Sequence, residues 1–269
     1  MGNPNGATIK RLIQKILGAT GYKLVAVGEP TTPRELNPDI TDGEWQTFLS
    51  VEPYTMTTLE RILAAIRATA YVSRNRIPGD IVECGVWRGG SSMAIALTLC
   101  ELGDTSRRLY LYDTFEGMTE PTPADTDYRG QQAAAMLASA RKGKDNVWAY
   151  ASLEDVTANL SRTQYPAERI IYVRGPVEQT IPEVVPDHIA LLRLDTDWYE
   201  STRHELAHLY PRLSPGGVLI VDDYGHWSGS KKAIDEFFND SLFLNRIDYT
   251  GRLAIKGSEL IKRSEQNPA

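Results

Sequence analysis

The chain has 269 residues, of which 42% are hydrophobic and 24% are charged, and its formal net charge is −6. This length suits one large domain with a short extension, and the composition is typical of a soluble globular protein. Scattered basic residues and the negative charge argue against nucleic acid as a partner, and no apolar run is long enough to cross a membrane. Because no secretory signal pattern is seen, we expect a cytoplasmic protein in which Cys84 and Cys100 are reduced, buried thiols.

Residues 1–56 are predicted to be an extension of the main domain. Residues 1–8 are rich in Gly, Asn and Pro and are expected to be disordered, whereas the spacing of apolar residues over 9–17 predicts a short amphipathic helix. Prolines among polar residues over 28–55 predict a loop or lid with aromatic anchors. We therefore expect an N-terminal helix and lid extension, 1–56, and one domain, 57–269.

Helical and strand patterns alternate in the main domain. A helical pattern over 57–72 precedes the first apolar strand, 81–86. Further short apolar runs predict strands, separated by helical patterns, at 108–113, 169–175, 189–195 and 217–223. Segments 243–249 and 252–255 predict a closing hairpin. This alternation predicts an α/β fold with a mostly parallel sheet and right-handed crossovers.

The segment from Asp80 to Ser92 predicts a strand, a glycine-rich turn and the start of a helix, a corner at which cofactors often bind. Its glycine spacing fits neither the Gly-x-Gly-x-x-Gly dinucleotide pattern nor a nucleotide phosphate loop. Glu83, at the end of the strand, would repel a phosphate group. It suits a cofactor with a positive charge and free hydroxyls, such as S-adenosylmethionine. The alternative is an ordinary turn whose glycines serve packing alone.

Asp113 ends the second predicted strand. In a nucleoside-binding α/β fold, a carboxylate at this edge of the sheet reaches the ribose hydroxyls, so we interpret Asp113 as a ribose ligand. The alternative is that Asp113 caps the turn over 113–117, which is a common role for aspartate.

Two more apolar strands end in acidic pairs, Asp195 with Asp197 and Asp222 with Asp223. Parallel strands end at one edge of the sheet, and carboxylates gathered there repel one another unless a cation is present. Oxygen ligands favour Mg²⁺, with Mn²⁺ or Ca²⁺ as alternatives, and His226 is the one nitrogen donor nearby in sequence. The structural alternative is that these aspartates form turns and helix caps.

Four motifs in this order resemble the macrocin O-methyltransferase (TylF/MycF/NovP) family: ECGVWRGGS (83–91), YDTFEGM (112–118), LDTDWYEST (194–202) and VDDYGHW (221–227). Members of that family methylate deoxysugar hydroxyls on glycosylated natural products such as macrolides and aminocoumarins. The resemblance implies a class I S-adenosylmethionine methyltransferase with a mostly parallel seven-stranded sheet, helices on both faces and a closing antiparallel hairpin. It also implies Mg²⁺ dependence, a glycosylated small-molecule acceptor and a homodimer.

The same resemblance assigns roles to individual residues. It implies Asp195, Asp222 and Asp223 as metal ligands and Asp197 as the general base. His226 is the alternative base, because a neutral imidazole can accept a proton near pH 7. The implied cofactor contacts are Glu83, Gly85, Ser91, Asp113, Met56 in the lid segment, and Val177 in a segment where many relatives have Gly-Trp-Phe-Glu and this chain has Gly-Pro-Val-Glu. Two other functions stay open: a catechol-type or other small-molecule O-methyltransferase, and a non-methylating nucleoside-binding protein.

Overall fold

The computed structural model describes residues 37–257. The chain divides into two compact units, Met1–Trp45 and Gln46–Ala269. The predicted disorder over 1–8 and the predicted helix over 9–17 lie outside the described residues. The division expected after residue 56 stays a prediction.

A seven-stranded sheet is the centre of the larger unit. Its strands are β1 (Asp80–Cys84), β2 (Leu109–Asp113), β3 (Ile170–Arg174), β4 (Ile189–Leu194), β5 (Leu213–Val221), β6 (Asn245–Arg246) and β7 (Arg252–Ile255). They lie in the order β3-β2-β1-β4-β5-β7-β6. The first five pair in parallel, and β7 is antiparallel to both β5 and β6. The predicted mostly parallel sheet with a closing antiparallel hairpin is therefore confirmed.

Eight α-helices lie within residues 37–257: α1 (Asp42–Val51), α2 (Leu59–Arg74), α3 (Gly90–Leu102), α4 (Ala133–Ser139), α5 (Leu153–Ser161), α6 (Val177–Thr180), α7 (Tyr199–Leu209) and α8 (Ser228–Phe238). Among these described helices, none combines the length and the apolar character that a membrane span requires. Both cysteines are free thiols, as expected, although Cys100 is only partly buried.

The two faces of the sheet differ in character. Alternate strand residues such as Val82, Cys84 and Leu192 pack with apolar residues of α6, α7 and α8 in one core cluster. Glu83 and Arg193 alternate with those residues along their strands, so they lie on the opposite face of the sheet. Glu83 contacts Ser92 of α3, so the helices cover both faces and the second face holds buried charge.

The prediction of a loop over 28–55 is wrong for the part that the structure describes, because α1 occupies ten residues of it. The Thr41 N–H donates to Glu44 Oε2 at 2.8 Å and the Glu44 N–H donates to Thr41 Oγ1 at 3.3 Å, a reciprocal capping box. Pro38 and Pro53 lie outside the helix. The prolines therefore mark its two ends rather than a continuous loop.

The hairpin is also shorter than predicted, since β6 contains two residues of the expected strand over 243–249. The Asp248 carboxylate accepts hydrogen bonds from the backbone N–H groups of Thr250 and Gly251 at 2.9 and 2.6 Å. This turn begins at Asp248 and ends the strand early. In the segment after β3, residues 177–180 form the short helix α6.

A glycine is required where β1 turns towards α3. Gly85 has φ +81°, and a Cβ atom there would lie 2.0 Å from the backbone oxygen of Asp195. Gly103, at the end of α3, also has a positive φ of +68°, but a Cβ atom there would meet nothing within 4 Å. The two positions share the backbone conformation and differ in the steric contact.

We expect Gly85→Ala to destabilise the protein by at least about 2 kcal/mol more than Gly103→Ala, whose cost of about 1 kcal/mol reflects backbone strain alone. Urea unfolding of both variants measures the difference. Equal losses of unfolding free energy would contradict the close approach of the Gly85 backbone to the Asp195 backbone.

Candidate active site

Two cavities meet at the carboxyl ends of β1, β2, β4 and β5. The Asp113 cavity, of about 690 Å³, is lined by Gly85, Asp113 and Val177 among others. The His226 cavity, of about 1020 Å³, is lined by Ser91, Asp223 and His226 among others. Both cavities are lined by Met56, Val86, Trp87, Asp195 and Asp197. The structure therefore brings most of the predicted site residues to one edge of the sheet.

Asp113 fixes the backbone around its cavity. Its Oδ2 accepts hydrogen bonds from the N–H groups of Val86 and Trp87 at 2.7 and 3.2 Å, and its Oδ1 accepts one from Phe115 at 2.7 Å. Burial raises the pKa of Asp113, and these backbone donors oppose the shift. Asp113 thus caps the turn that follows it and also lines the cavity, so the two interpretations are compatible.

Glu83 does not line either cavity. Its carboxylate is 1% exposed, accepts a hydrogen bond from Ser92 Oγ, and lies 2.6 Å from Arg193 Nη1. Burial raises its pKa, while Arg193 and Ser92 favour the charged form. The predicted contact of Glu83 with a cofactor therefore stays a prediction, and the observed partners of Glu83 are inside the protein.

Asp222 is held by two guanidinium groups. Arg193 Nη2 lies 2.6 Å from Asp222 Oδ1, and Arg61 Nη1 of α2 contacts Asp222 Oδ2. Arg61 also reaches Asp248 with its Nε, at 3.0 Å. Both oxygens of this predicted metal ligand are therefore engaged by cations of the protein.

Asp195, Asp197 and Asp223 form the acidic cluster that could hold a metal ion, with one oxygen of each within 4.8 Å of the others. Burial raises the pKa of Asp195 and Asp223 well above their usual range, and neighbouring aspartates add to the shift. For Asp195 the guanidinium group of Arg193, 2.7 Å from Oδ2, opposes it. Asp223 Oδ2 is buried and has no hydrogen-bond partner among residues 37–257. Asp223 therefore brings to the cluster a carboxyl oxygen that no described residue engages.

Asp197 occupies a special backbone position in that cluster. Its φ of +68° lies in the left-handed region, which aspartate tolerates better than most residues. Burial raises the pKa of Asp197 to about 7, and a hydrogen bond with Asp223 opposes the shift. The alternative in which 195–197 caps the next helix is not observed, because the first N–H group of α7, at Tyr199, donates to Asp125 Oδ1 at 2.8 Å.

His226 lies in an aromatic group on the wall of its cavity. Its Nδ1 is 3.0 Å from the hydroxyl of Tyr249, and its ring centroid is 5.4 Å from that of Tyr128 and 4.9 Å from that of Trp227. Burial lowers the pKa of His226 and so favours the neutral imidazole. His226 lines the same cavity as the aspartates, but it does not belong to the cluster of possible metal ligands.

Sequence reasoning missed Arg61 and Arg193, which hold the carboxylates in place. Arg193 had a visible signal, since it is the one charged residue in the apolar strand β4 and a buried charge requires a partner. Arg61 had none, because its position on α2 is compatible with an exposed polar face of an amphipathic helix.

We expect Arg193→Met to lower the free energy of unfolding by about 3–5 kcal/mol, because it leaves Glu83 and Asp222 buried without their cation. Arg203→Met is the matched control. Arg203 pairs with Glu200 on the exposed side of α7, where loss of the pair costs less than about 1 kcal/mol. Chemical denaturation measures both, and a small effect of Arg193→Met would contradict a structural role for the ion cluster.

Comparisons with known proteins show the family to which the chain belongs. A sequence model of the family "Macrocin-O-methyltransferase (TylF)" matches residues 41–253. The 8-demethyl-8-(2,3-dimethoxy-alpha-L-rhamnosyl)-tetracenomycin-C 4'-O-methyltransferase of Streptomyces olivaceus is 36% identical over 219 residues, which are 79% of this chain and 78% of that protein. The demethyldecarbamoylnovobiocin O-methyltransferase of Streptomyces niveus is 33% identical over 184 residues, 68% of this chain and 67% of that protein.

A solved structure, that of the O-methyltransferase NovP, has a similar fold. Its TM-score is 0.67 at 27% sequence identity, and the match covers 94% of this chain and 99% of NovP. The chain therefore belongs to the macrocin-O-methyltransferase (TylF) family and is an S-adenosylmethionine-dependent O-methyltransferase of the class I fold.

Proposed function

We propose that this enzyme transfers the methyl group of S-adenosylmethionine to a deoxysugar hydroxyl of a glycosylated natural product, in antibiotic biosynthesis, with Mg²⁺ as the metal. One observation carries the proposal: Asp195 and Asp197 line both cavities, so a cofactor in one and an acceptor in the other would meet at these carboxylates. The names of the two curated relatives, one of which specifies a rhamnosyl group, support a glycosylated acceptor.

The cofactor would occupy the Asp113 cavity. Asp113 lies at the end of β2, where a carboxylate can bind ribose hydroxyls, and Gly85 allows the chain to turn close to the ligand. Val177 and Met56 would supply apolar contacts on other walls of this cavity. Ser91 lines the neighbouring His226 cavity at the start of α3 and Glu83 lines neither cavity, so these two contacts with the cofactor are the least direct of the predicted set.

The residues present fit a Mg²⁺ ion. The clustered ligands are all oxygen atoms, and Asp223 Oδ2 is buried without a partner in the described part of the chain. Asp195 and Asp223 would hold the ion. Asp222, the third predicted ligand, is bound through both oxygens by Arg61 and Arg193, whereas Asp195 is bound by Arg193 through Oδ2, so Asp222 is the less accessible of these two ligands. When bound, the ion would lower the pKa of a sugar hydroxyl in contact with it.

The protein would supply alignment and a base. The acceptor oxygen forms a bond to the methyl carbon while the carbon–sulfur bond breaks, and S-adenosylhomocysteine is released. Asp197, at the junction of the cavities, would accept the hydroxyl proton. His226 is the alternative acceptor of the proton because its neutral imidazole lines the same cavity.

We expect Asp197→Asn to lower kcat by about a hundredfold or more, since the amide cannot take the proton. The affinity for S-adenosylhomocysteine should change by less than about threefold, because Asp197 is one of many residues around the cavity. His226→Asn is the comparison variant and should retain kcat within about threefold. Methyl-transfer kinetics and calorimetry test this, and the reverse pattern would assign the base to His226.

Removal of divalent metal with a chelator should abolish methyl transfer, because the sugar hydroxyl loses its Lewis acid. Addition of Mg²⁺ should restore the transfer. Binding of S-adenosylhomocysteine to the metal-free protein serves as the control for an intact cofactor cavity. Transfer at an unchanged rate in the chelator would eliminate the metal from the proposal. An acceptor panel of deoxysugar glycosides and sugar-free catechols distinguishes the sugar from the catechol alternative.

A further inference from the structure

Glu205 is a buried acid that has no place in the mechanism above. It lies on α7, is 0% exposed and lines neither cavity. Its Oε1 accepts a hydrogen bond from Thr196 Oγ1 at 2.9 Å, whereas its Oε2 has no hydrogen-bond partner within residues 37–257. Glu205 and Asp223 are the residues of that range with such a buried, unpartnered side-chain oxygen.

The surroundings of Glu205 do not explain its presence by charge pairing. Burial raises its pKa well above the usual range, and the charges with the largest influence, Glu178 and Asp195, are acidic. The Cys84 thiol is its neighbour, and burial and then the charge of Glu205 raise the pKa of this thiol. A buried carboxyl group without a cation costs stability, so an apolar residue of similar size would suit the core better.

Glu205 accepts a hydrogen bond from the centre of the active-site turn. Thr196 separates Asp195 from Asp197 and lines the Asp113 cavity. The turn is held from the other side by β1, since the Asp195 N–H donates to the Cys84 carbonyl at 2.8 Å. Asp197 then adopts its left-handed backbone, which needs support from its neighbours. The Thr196 side chain links the turn to α7 through its hydrogen bond with Glu205.

We propose that Glu205 is a positioning residue for methyl transfer: its hydrogen bond with Thr196 holds the 195–197 turn so that both aspartates face the shared edge of the cavities. This proposal rests on the role that the proposed function gives to Asp195 and Asp197. Glu205 touches neither cofactor nor acceptor, and it acts through Thr196 alone.

The test uses Glu205→Met, which removes the acceptor oxygen at similar volume, and Glu205→Gln, which keeps it. Thr196→Val removes the donor from the other end of the bond, and the double variant Thr196→Val/Glu205→Met completes the cycle. Glu200→Gln is the matched control, because Glu200 is an exposed glutamate on the same helix. Each full-length variant is measured for kcat, KM, S-adenosylhomocysteine affinity, Mn²⁺ affinity and Tm.

We expect Glu205→Met and Thr196→Val each to lower kcat by about tenfold or more and to weaken Mn²⁺ binding by about tenfold. The double variant should lose no more kcat and no more Mn²⁺ affinity than the more impaired of the two single variants. Glu205→Gln and Glu200→Gln should stay within about twofold of the wild type, and S-adenosylhomocysteine affinity should change by less than about threefold in all variants. Glu205→Met should keep or raise Tm, because it removes the unpartnered oxygen.

Three results would overturn the proposal: losses that multiply in the double variant, a Glu205→Gln variant as impaired as Glu205→Met, or unchanged kcat and Mn²⁺ affinity in Thr196→Val. If Glu205→Met does not fold, Thr196→Val and Glu205→Gln decide the question. If the wild type methylates no glycoside, the proposed function fails. Mn²⁺ affinity across the same variants then still supports or refutes the positioning role.

Discussion

The guanidinium group of Arg193 joins the ends of the three central strands. From β4 it lies within 2.7 Å of carboxylate oxygens of Glu83, Asp195 and Asp222, and Arg61 of α2 binds the far side of Asp222. Because the group is 3% exposed, these contacts are made without competition from water. The ion cluster therefore holds the carboxyl groups at the strand ends in place, and the geometry of the site depends on it.

The same cluster explains why the site would attract a cation. Two guanidinium groups face five carboxyl groups, those of Glu83, Asp195, Asp197, Asp222 and Asp223. Arg193 and Arg61 form ion pairs with Glu83, Asp195 and Asp222, whereas Asp197 and Asp223, which line the His226 cavity, take no part in these ion pairs. Burial makes their charge costly, and a bound divalent ion relieves that cost. Glu205, on α7, holds the 195–197 turn through its hydrogen bond with Thr196 and adds no cation to the cluster.

Most of the fold followed from the sequence because its signals are local. Apolar runs predicted β1, β2, β4 and β5, and all four strands are observed. The predictions were wrong where tertiary contacts, or turns closed by side-chain hydrogen bonds, determined the local structure. Helix α1 was hidden by the prolines at its ends, and β6 was cut short by the side chain of Asp248.

For the active site, the sequence by itself determined the residue types, the family resemblance and the edge of the sheet where they would gather, because parallel strands end on one side. It could not determine which carboxylates the guanidinium groups engage. Glu83 and Asp222 are bound by Arg193, Asp195 is shared between Arg193 and the acidic cluster, and Asp197 and Asp223 complete that cluster. That distinction arises from contacts between residues as far as 161 positions apart, such as Arg61 with Asp222, and only the tertiary structure brings such residues together.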